Sequence, residues 1–369
     1  MKVAFCMRGD YLARYGGDTC KVLNAKEVLE GTYGVKVSIL TEPQQLYMYN
    51  VDIVHVFNAQ TLELSLQFAE VAKSLGKKVV LSSIFWDLSH SLFASHLARL
   101  GIMNIKKWHK FLKKPHDLGM SLISCFSSKV YFGSSKYVRN LNRLVTLADL
   151  VITNSPEELD ILKKVSGVRN INSRVVINEV NTEIFRKTPK IGNNMTVLTA
   201  GRIEPTKNQL SLVRSLLEDK EIRIVIVGAV SSGRYLKEIE KLARIRGNVE
   251  IIPRNVSQSE LYDIYVNSDV HALPSFRDSP GRTTLEALSV GLKVVVSGSD
   301  FCPVDFYFGK LVNKSVFVCN PYDISSIRTA VLRALKAPAD EESSEFPFTL
   351  ERKGLQIFEA YKDILSVRG

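Results

Sequence analysis

The chain has 369 residues, enough for two domains of ordinary size. Hydrophobic residues make up 45% and charged residues 24%, which excludes a disordered chain and leaves two cores to bury. The formal net charge of +11 fits either an anionic partner or a lysine-rich solvated surface.

In chain order, Val3–Met7 reads as a short strand. A polar, glycine-containing loop follows over Arg8–Asp18, then a helical segment to about Gly31. Val35–Leu40 and Asp52–Phe57 read as strands. Asn58 suits the N-cap of a helix over Thr61–Leu75 that Gly76 closes. Lys78–Phe85 is the next strand. The alternation breaks over about 86–145, which is too long for a simple crossover. There Lys106, Lys107, Lys110, Lys113 and Lys114 are mixed with Leu100, Ile102, Met103, Ile105, Trp108, Phe111 and Leu112. That pattern fits a basic amphipathic helix, interrupted before Pro115. Ala148–Thr153 is a strand, Pro156–Lys164 a helix begun after Ser155, and Arg174–Ile177 a strand. Residues 186–194 are polar and rich in breakers, as in an interdomain linker. In the second half, strands are expected at 195–200, 222–227, 249–252, 268–273, 292–297 and 315–318. Helices are expected at about 207–217, 232–245, 258–266 and 281–290, with a helical tail at about 349–366.

Strands alternating with helices imply an α/β fold of two doubly wound parallel sheets. In such sheets ligands sit at the carboxyl ends of strands, and a cleft between domains is the natural site. The five cysteines, at 6, 20, 125, 302 and 319, form no C-x-x-C pair, which fits a reducing compartment. The amino terminus has no signal-peptide run, and no stretch approaches 18 apolar residues. A cytoplasmic location is the expectation.

Two segments carry chemistry. The first runs from Pro274 to Gly291. Ser279 followed by Pro280 resembles an N-cap and first helical residue, so a helix is expected from 280 or 281, closed by Gly291. Gly281 clears the helix mouth, where unsatisfied N–H groups can hold phosphate. Arg282 and Glu286 are spaced i, i+4, and Asp278 stands just before the helix. Carboxylates on both sides of such a mouth suit sugar hydroxyls. The competing reading is a capped helix with an internal Glu–Arg pair. The second segment is Ala200-Gly-Arg-Ile-Glu-Pro-Thr-Lys-Asn-Gln-Leu210. Gly201-Arg202 follows a strand, and Lys207 opens a helix after Thr206, an arrangement suited to a diphosphate. Its competing reading is a pair of surface charges.

Together these segments resemble the retaining GT-B glycosyltransferases of family 4, the group 1 glycosyltransferases. Val225-Ile-Val-Gly228, Val256–Tyr265 and Ser268–Ser275 fit the same pattern, and the likeness is strongest over 197–298. The resemblance implies two Rossmann-like domains facing a cleft. The N-terminal, acceptor-binding domain would span 1–185 and the linker 186–194. The nucleotide-sugar-binding domain would span 195–345, with a C-terminal helix at 346–369 that can return to the N-terminal domain. By resemblance, Arg202 and Lys207 bind the donor diphosphate and steady the leaving group. Glu286 holds the ribose, and Asp278 faces the donor sugar in place of the usual glutamate. Gly201, Ser279, Gly281, Arg282 and Thr283 line the donor, and Arg254 flanks the base. Ser279-Pro280 stands where Gly-Phe is common. In the first half, Gly16-Gly17 matches the glycine pair that approaches donor phosphates or acceptor. Trp86-Asp87 stands where His-Asp is common, making Asp87 an acceptor-site candidate. Glu179 replaces the usual glycine of an Asn-Gly-Val turn.

The activity so implied is a retaining, hexosyltransferase-like reaction on a glycan or lipid-linked acceptor, as in surface polysaccharide biosynthesis. No Asp-x-Asp motif follows a strand, so no cofactor or metal is expected, and cations with helix dipoles would meet the diphosphate charge. The alternative is a non-catalytic GT-B subunit of a glycan assembly complex. The basic stretch at 100–114 suits either an anionic inner-membrane surface or a solvated lysine face. No nucleic-acid-binding module is recognisable.

Overall fold

The computed structural model describes residues 1–13, 16–102, 105–126, 134–188, 194–338 and 346–366; for Asp18, 105–108 and 121–126 it describes the backbone alone. The first half holds β1 (Lys2–Cys6), α1 (Gly17–Tyr33), β2 (Lys36–Leu40), β3 (Ile53–Phe57), α2 (Leu62–Ser74) and β4 (Lys78–Ser82). Then come α3 (Ser89–Arg99), α4 (Ile105–Phe126), α5 (Ser135–Leu147), β5 (Leu150–Thr153), α6 (Pro156–Ser166) and β6 (Ser173–Val175). The second half holds β7 (Thr196–Ala200), α7 (Gln209–Ser215), β8 (Arg223–Val227), α8 (Gly233–Arg246), β9 (Val249–Ile252) and α9 (Gln258–Val266). It continues through β10 (Val270–Leu273), α10 (Arg282–Val290), β11 (Lys293–Ser297), α11 (Val304–Phe308), β12 (Val316–Cys319) and α12 (Ile324–Lys336), and ends in α13 (Leu350–Ser366).

The strands form two six-stranded sheets, ordered β2-β1-β3-β4-β5-β6 and β12-β11-β10-β7-β8-β9. Among the described residues every strand pairing is parallel. Runs such as Val294-Val-Val296 are buried on both faces, which is why they read as uninterrupted apolar stretches. The α/β class and its parallel sheets follow from the alternation in the sequence.

Several local expectations are corrected. The helix expected from Asn58 is capped at Thr61, and Asn58 itself takes φ 77° while its side chain accepts from Gln60 N. Pro115 does not interrupt α4 but lies inside it. The helix expected from Ser279-Pro280 begins at Arg282 behind Gly281, and Ser279 is no N-cap. Lys207 ends a 3-10 turn over Pro205–Lys207, and Asn208, at φ 59°, opens α7. Helices α3, α5, α11 and α12 had no individual counterpart in the sequence reading. Most of the linker expected at 186–194 lies outside the described residues.

The chain divides into two compact units. One contains 1–86, 119–179 and 347–369, and the other 87–118 and 180–346. The boundary thus differs from the division at 185: residues 87–118 count with the second unit. In the first unit α13 packs on α1. A Cβ at Gly354 would lie 2.1 Å from Val28 Cγ1, so only glycine lets the helices approach this closely. The buried Glu179 carboxylate accepts from Lys353 Nζ at 2.7 Å and from Asn24 Nδ2 at 3.2 Å. Glu179, the residue that departs from the glycine expected by resemblance, therefore ties α13 to α1 and to the end of the sheet. His55, buried in β3, meets Tyr361 Oη at 2.5 Å and Ser82 Oγ at 2.8 Å, and burial lowers its pKa to about 3.

Candidate donor site

The site is built from the carboxyl ends of β7, β8 and β10. Gly201 and Gly228, both at φ 149°, turn the chain as it leaves β7 and β8. A Cβ at Gly228 would lie 2.2 Å from Gly201 O, so the two turns touch backbone to backbone. Asn208 fastens the neighbouring loops. Buried, it donates from Nδ2 to Pro274 O at 3.0 Å and to Pro321 O at 2.8 Å. Gln209 Nε2 donates to Arg202 O at 2.8 Å. Phe276 N donates to Thr206 O at 2.8 Å, joining the lysine turn to the loop before α10.

These links bring Lys207 and Asp278 together, with Nζ 3.6 Å from Oδ2. Asp278 is held by its own N–H to Phe301 O at 2.8 Å, while its Oδ1 accepts from Ser279 N at 3.0 Å. A Cβ at Gly281 would lie 2.8 Å from Asp278 Oδ2, so the carboxylate rests on the mouth of α10 and glycine is what admits it. A helix N-terminus favours an anion there. Inside α10, Arg282 Nη2 lies 3.3 Å from Glu286 Oε1. The Tyr265 hydroxyl donates to Thr283 O at 2.9 Å and lies 3.3 Å from Glu286 Oε2. The internal Glu–Arg pair of the competing reading is therefore present, running from Arg282 at the mouth to Glu286 one turn below it.

The remaining predicted residues fall less centrally. The Arg202 side chain is exposed. Arg254 is exposed too and holds Glu260 through both terminal nitrogens, at 2.5 and 3.0 Å. Gly16 caps α1 and Gly17 begins it, both in the first unit. Asp87 Oδ1 accepts from Ser89 N at 2.7 Å at the start of α3. Sequence reasoning missed Arg277, whose pKa burial lowers against the opposing pull of Asp278 and Glu204; Arg202 lowers it further. It missed Tyr265, Asn208 as a fastener, and Tyr322 as well. Among the described residues, no group of three or more His, Cys, Asp or Glu side chains is placed to hold a metal ion. No described helix is long and apolar enough to cross a membrane.

Residues 180–346 match the family model of glycosyl transferases group 1. The chain is 31% identical over 150 residues to a sulfoquinovosyl transferase of Arabidopsis thaliana, a stretch covering 40% of this chain and 28% of that protein. It is 27% identical over 199 residues to a D-inositol 3-phosphate glycosyltransferase of Corynebacterium diphtheriae, covering 46% of each. The chain thus spans less than half the length of these curated relatives. Across its whole length it resembles sucrose-phosphate synthase of Thermosynechococcus elongatus, with a TM-score of 0.69 at 13% identity and full coverage of both chains. It also resembles Anabaena HepE in complex with UDP-glucose, with a TM-score of 0.67 at 15% identity, covering 98% of this chain and 100% of that one. The fold is GT-B, and within it residues 180–346 carry the likeness to the group 1 glycosyl transferases.

Proposed function

We propose that the protein is a glycosyltransferase that uses a nucleotide diphosphate sugar, with the donor bound around Lys207, Asp278 and α10. The observation that carries this reading is the meeting of Lys207 Nζ and the Asp278 carboxylate at a helix mouth cleared by Gly281. The matched segment and the UDP-glucose held by Anabaena HepE support it. Lys207, Arg202 and the N–H groups of α10 meet the charge that grows on the leaving diphosphate. Asp278 accepts from hydroxyls of the donor sugar, and Glu286 from the ribose. The bond from the sugar to the diphosphate breaks, the acceptor oxygen bonds to the sugar carbon, and the acceptor proton passes to the leaving phosphate. Retention, independence of metal, assignment to family 4 and a glycan or lipid-linked acceptor in surface polysaccharide assembly rest on the sequence resemblance. A thermal-shift series with UDP, GDP, dTDP and ADP tests donor binding. One of them raises the melting point, because a ligand of the folded state stabilises it by mass action. No shift with any of the four sinks the reading. Binding without transfer of any sugar favours the non-catalytic alternative.

A cytoplasmic protein resting on the inner face of a membrane completes the proposal. The outward side of α4 exposes Phe111 and Leu118, at 75% and 65%, together with the exposed Lys110 and Lys114. Apolar side chains flanked by lysines suit an anionic bilayer. The expected result is sedimentation with phosphatidylserine vesicles at low salt and release by added salt. Equal sedimentation with phosphatidylcholine vesicles, or none with either, refutes it.

A further inference from the structure

Residues 87–118 precede the donor segment by some way in sequence, yet they pack against it within one unit. Phe93, Ala94 and Leu97 of α3 form a buried cluster with Phe276, Phe301 and Tyr322, and Ile102 and Leu112 pack at its edge. Tyr322 is the centre of this contact. The His109 ring of α4 stacks on it at 3.7 Å between centroids and 18° between planes. His90 Nδ1 of α3 lies 2.9 Å from its hydroxyl. On its other side Tyr322 packs on Phe276, 4.7 Å between centroids, and Phe301, 6.0 Å. Those two residues hold the site by their backbones, Phe276 N on Thr206 O and Phe301 O on Asp278 N, both at 2.8 Å. The residue before Tyr322 also accepts from Asn208.

We infer that α3 and the first half of α4 act on the donor loop as a positioning element, with Tyr322 as the positioning residue that carries their packing to Asp278 and Lys207. This rests on the reading of those two residues as donor contacts. The physical ground is that a buried aromatic cluster is close-packed and transmits displacement rather than absorbing it. The segment that would carry the protein onto a bilayer is then the same segment that shapes the donor site. Burial lowers the pKa of His90 and of His109, with Lys113 adding to both, and raises that of the Tyr322 phenol. A neutral imidazole facing a protonated phenol is the state in which the pair bonds.

The test is hydrogen–deuterium exchange on the full chain without ligand, comparing wild type with His109→Ala, His109→Phe and His90→Ala. His109→Ala is expected to speed exchange over 275–281 and 299–303 by about tenfold while β7, β8 and β10 keep their protection. His109→Phe keeps the stack and restores the wild-type rate. If His109→Ala loses protection throughout, His90→Ala decides, with an expected acceleration of roughly threefold confined to the same loops. Wild-type exchange in the deciding variant overturns the inference, as does failure of His109→Phe to restore it. Titration with whichever of UDP, GDP, dTDP and ADP binds wild type supplies the second reading. Weaker binding in the loosened variant supports positioning, and unchanged affinity refutes it. Absence of nucleotide binding by wild type counts against the proposed function alone, since the exchange measurement needs no ligand.

Discussion

Replacing Lys207 with alanine is expected to cut sugar transfer by roughly 10²–10³-fold, the usual loss when one preorganised charge facing a transition state is removed. The ammonium is partly exposed and its ion pair is with Asp278, while the loops around it are fastened by Asn208 and by Phe276 N on Thr206 O. The fold therefore has little to lose, and the melting point of the variant stays near that of wild type. A coupled assay for released nucleoside diphosphate, run with the donor found by thermal shift, reads the rate. Activity near the wild-type level would remove Lys207 from the chemistry. Glu286→Ala is a less clean probe, because it also takes the carboxylate from beside Arg282 and Tyr265. A loss there mixes binding with packing.

The second large effect concerns stability. Glu179→Ala is expected to destabilise the first unit by about 3–5 kcal/mol, because it leaves the Lys353 ammonium buried without its carboxylate. Urea unfolding followed by circular dichroism measures it. The double variant Glu179→Leu with Lys353→Met is expected to recover most of the loss, since apolar residues of similar size replace such pairs at little cost. A single variant as stable as wild type would mean that water reaches the ammonium. The carboxylate fixes α13 at its beginning, and Gly354 fixes how closely the helix lies on α1.

Much of this was legible in the sequence, for identifiable reasons. Strands such as Arg223–Val227 and Lys293–Ser297 are buried apolar runs bounded by breakers, so their positions follow from composition alone. The candidate site residues Arg202, Lys207, Asp278 and Glu286 lie in two segments whose local order carries the resemblance. What failed was chemistry that needs the third dimension. Ser279-Pro280 has the residues of a helix start, but the loop spends Ser279 N on Asp278, and the helix waits for Gly281. Pro115 sits in a continuous helix that a one-dimensional reading would break. Arg254, expected beside the base, pairs with Glu260 six residues on, a partner its local pattern does not point to. Tyr265 and Tyr322 reach the site from residues with no special spacing, and nothing local distinguishes them from ordinary core tyrosines.

The interleaving of the two units has a consequence for synthesis. The chain passes between them at 86/87, 118/119, 179/180 and 346/347. On the ribosome, α3 emerges long before Phe276, Phe301 and Tyr322, the residues it will cover. Its apolar face must wait until some two hundred further residues have been made, and the first sheet lacks α13 until the second unit has been made. Neither unit can complete itself from one continuous stretch, so folding to the final state is a late event with high contact order. A fragment cut to the matched span, 180–346, would emerge with that aromatic cluster open to solvent and prone to aggregate.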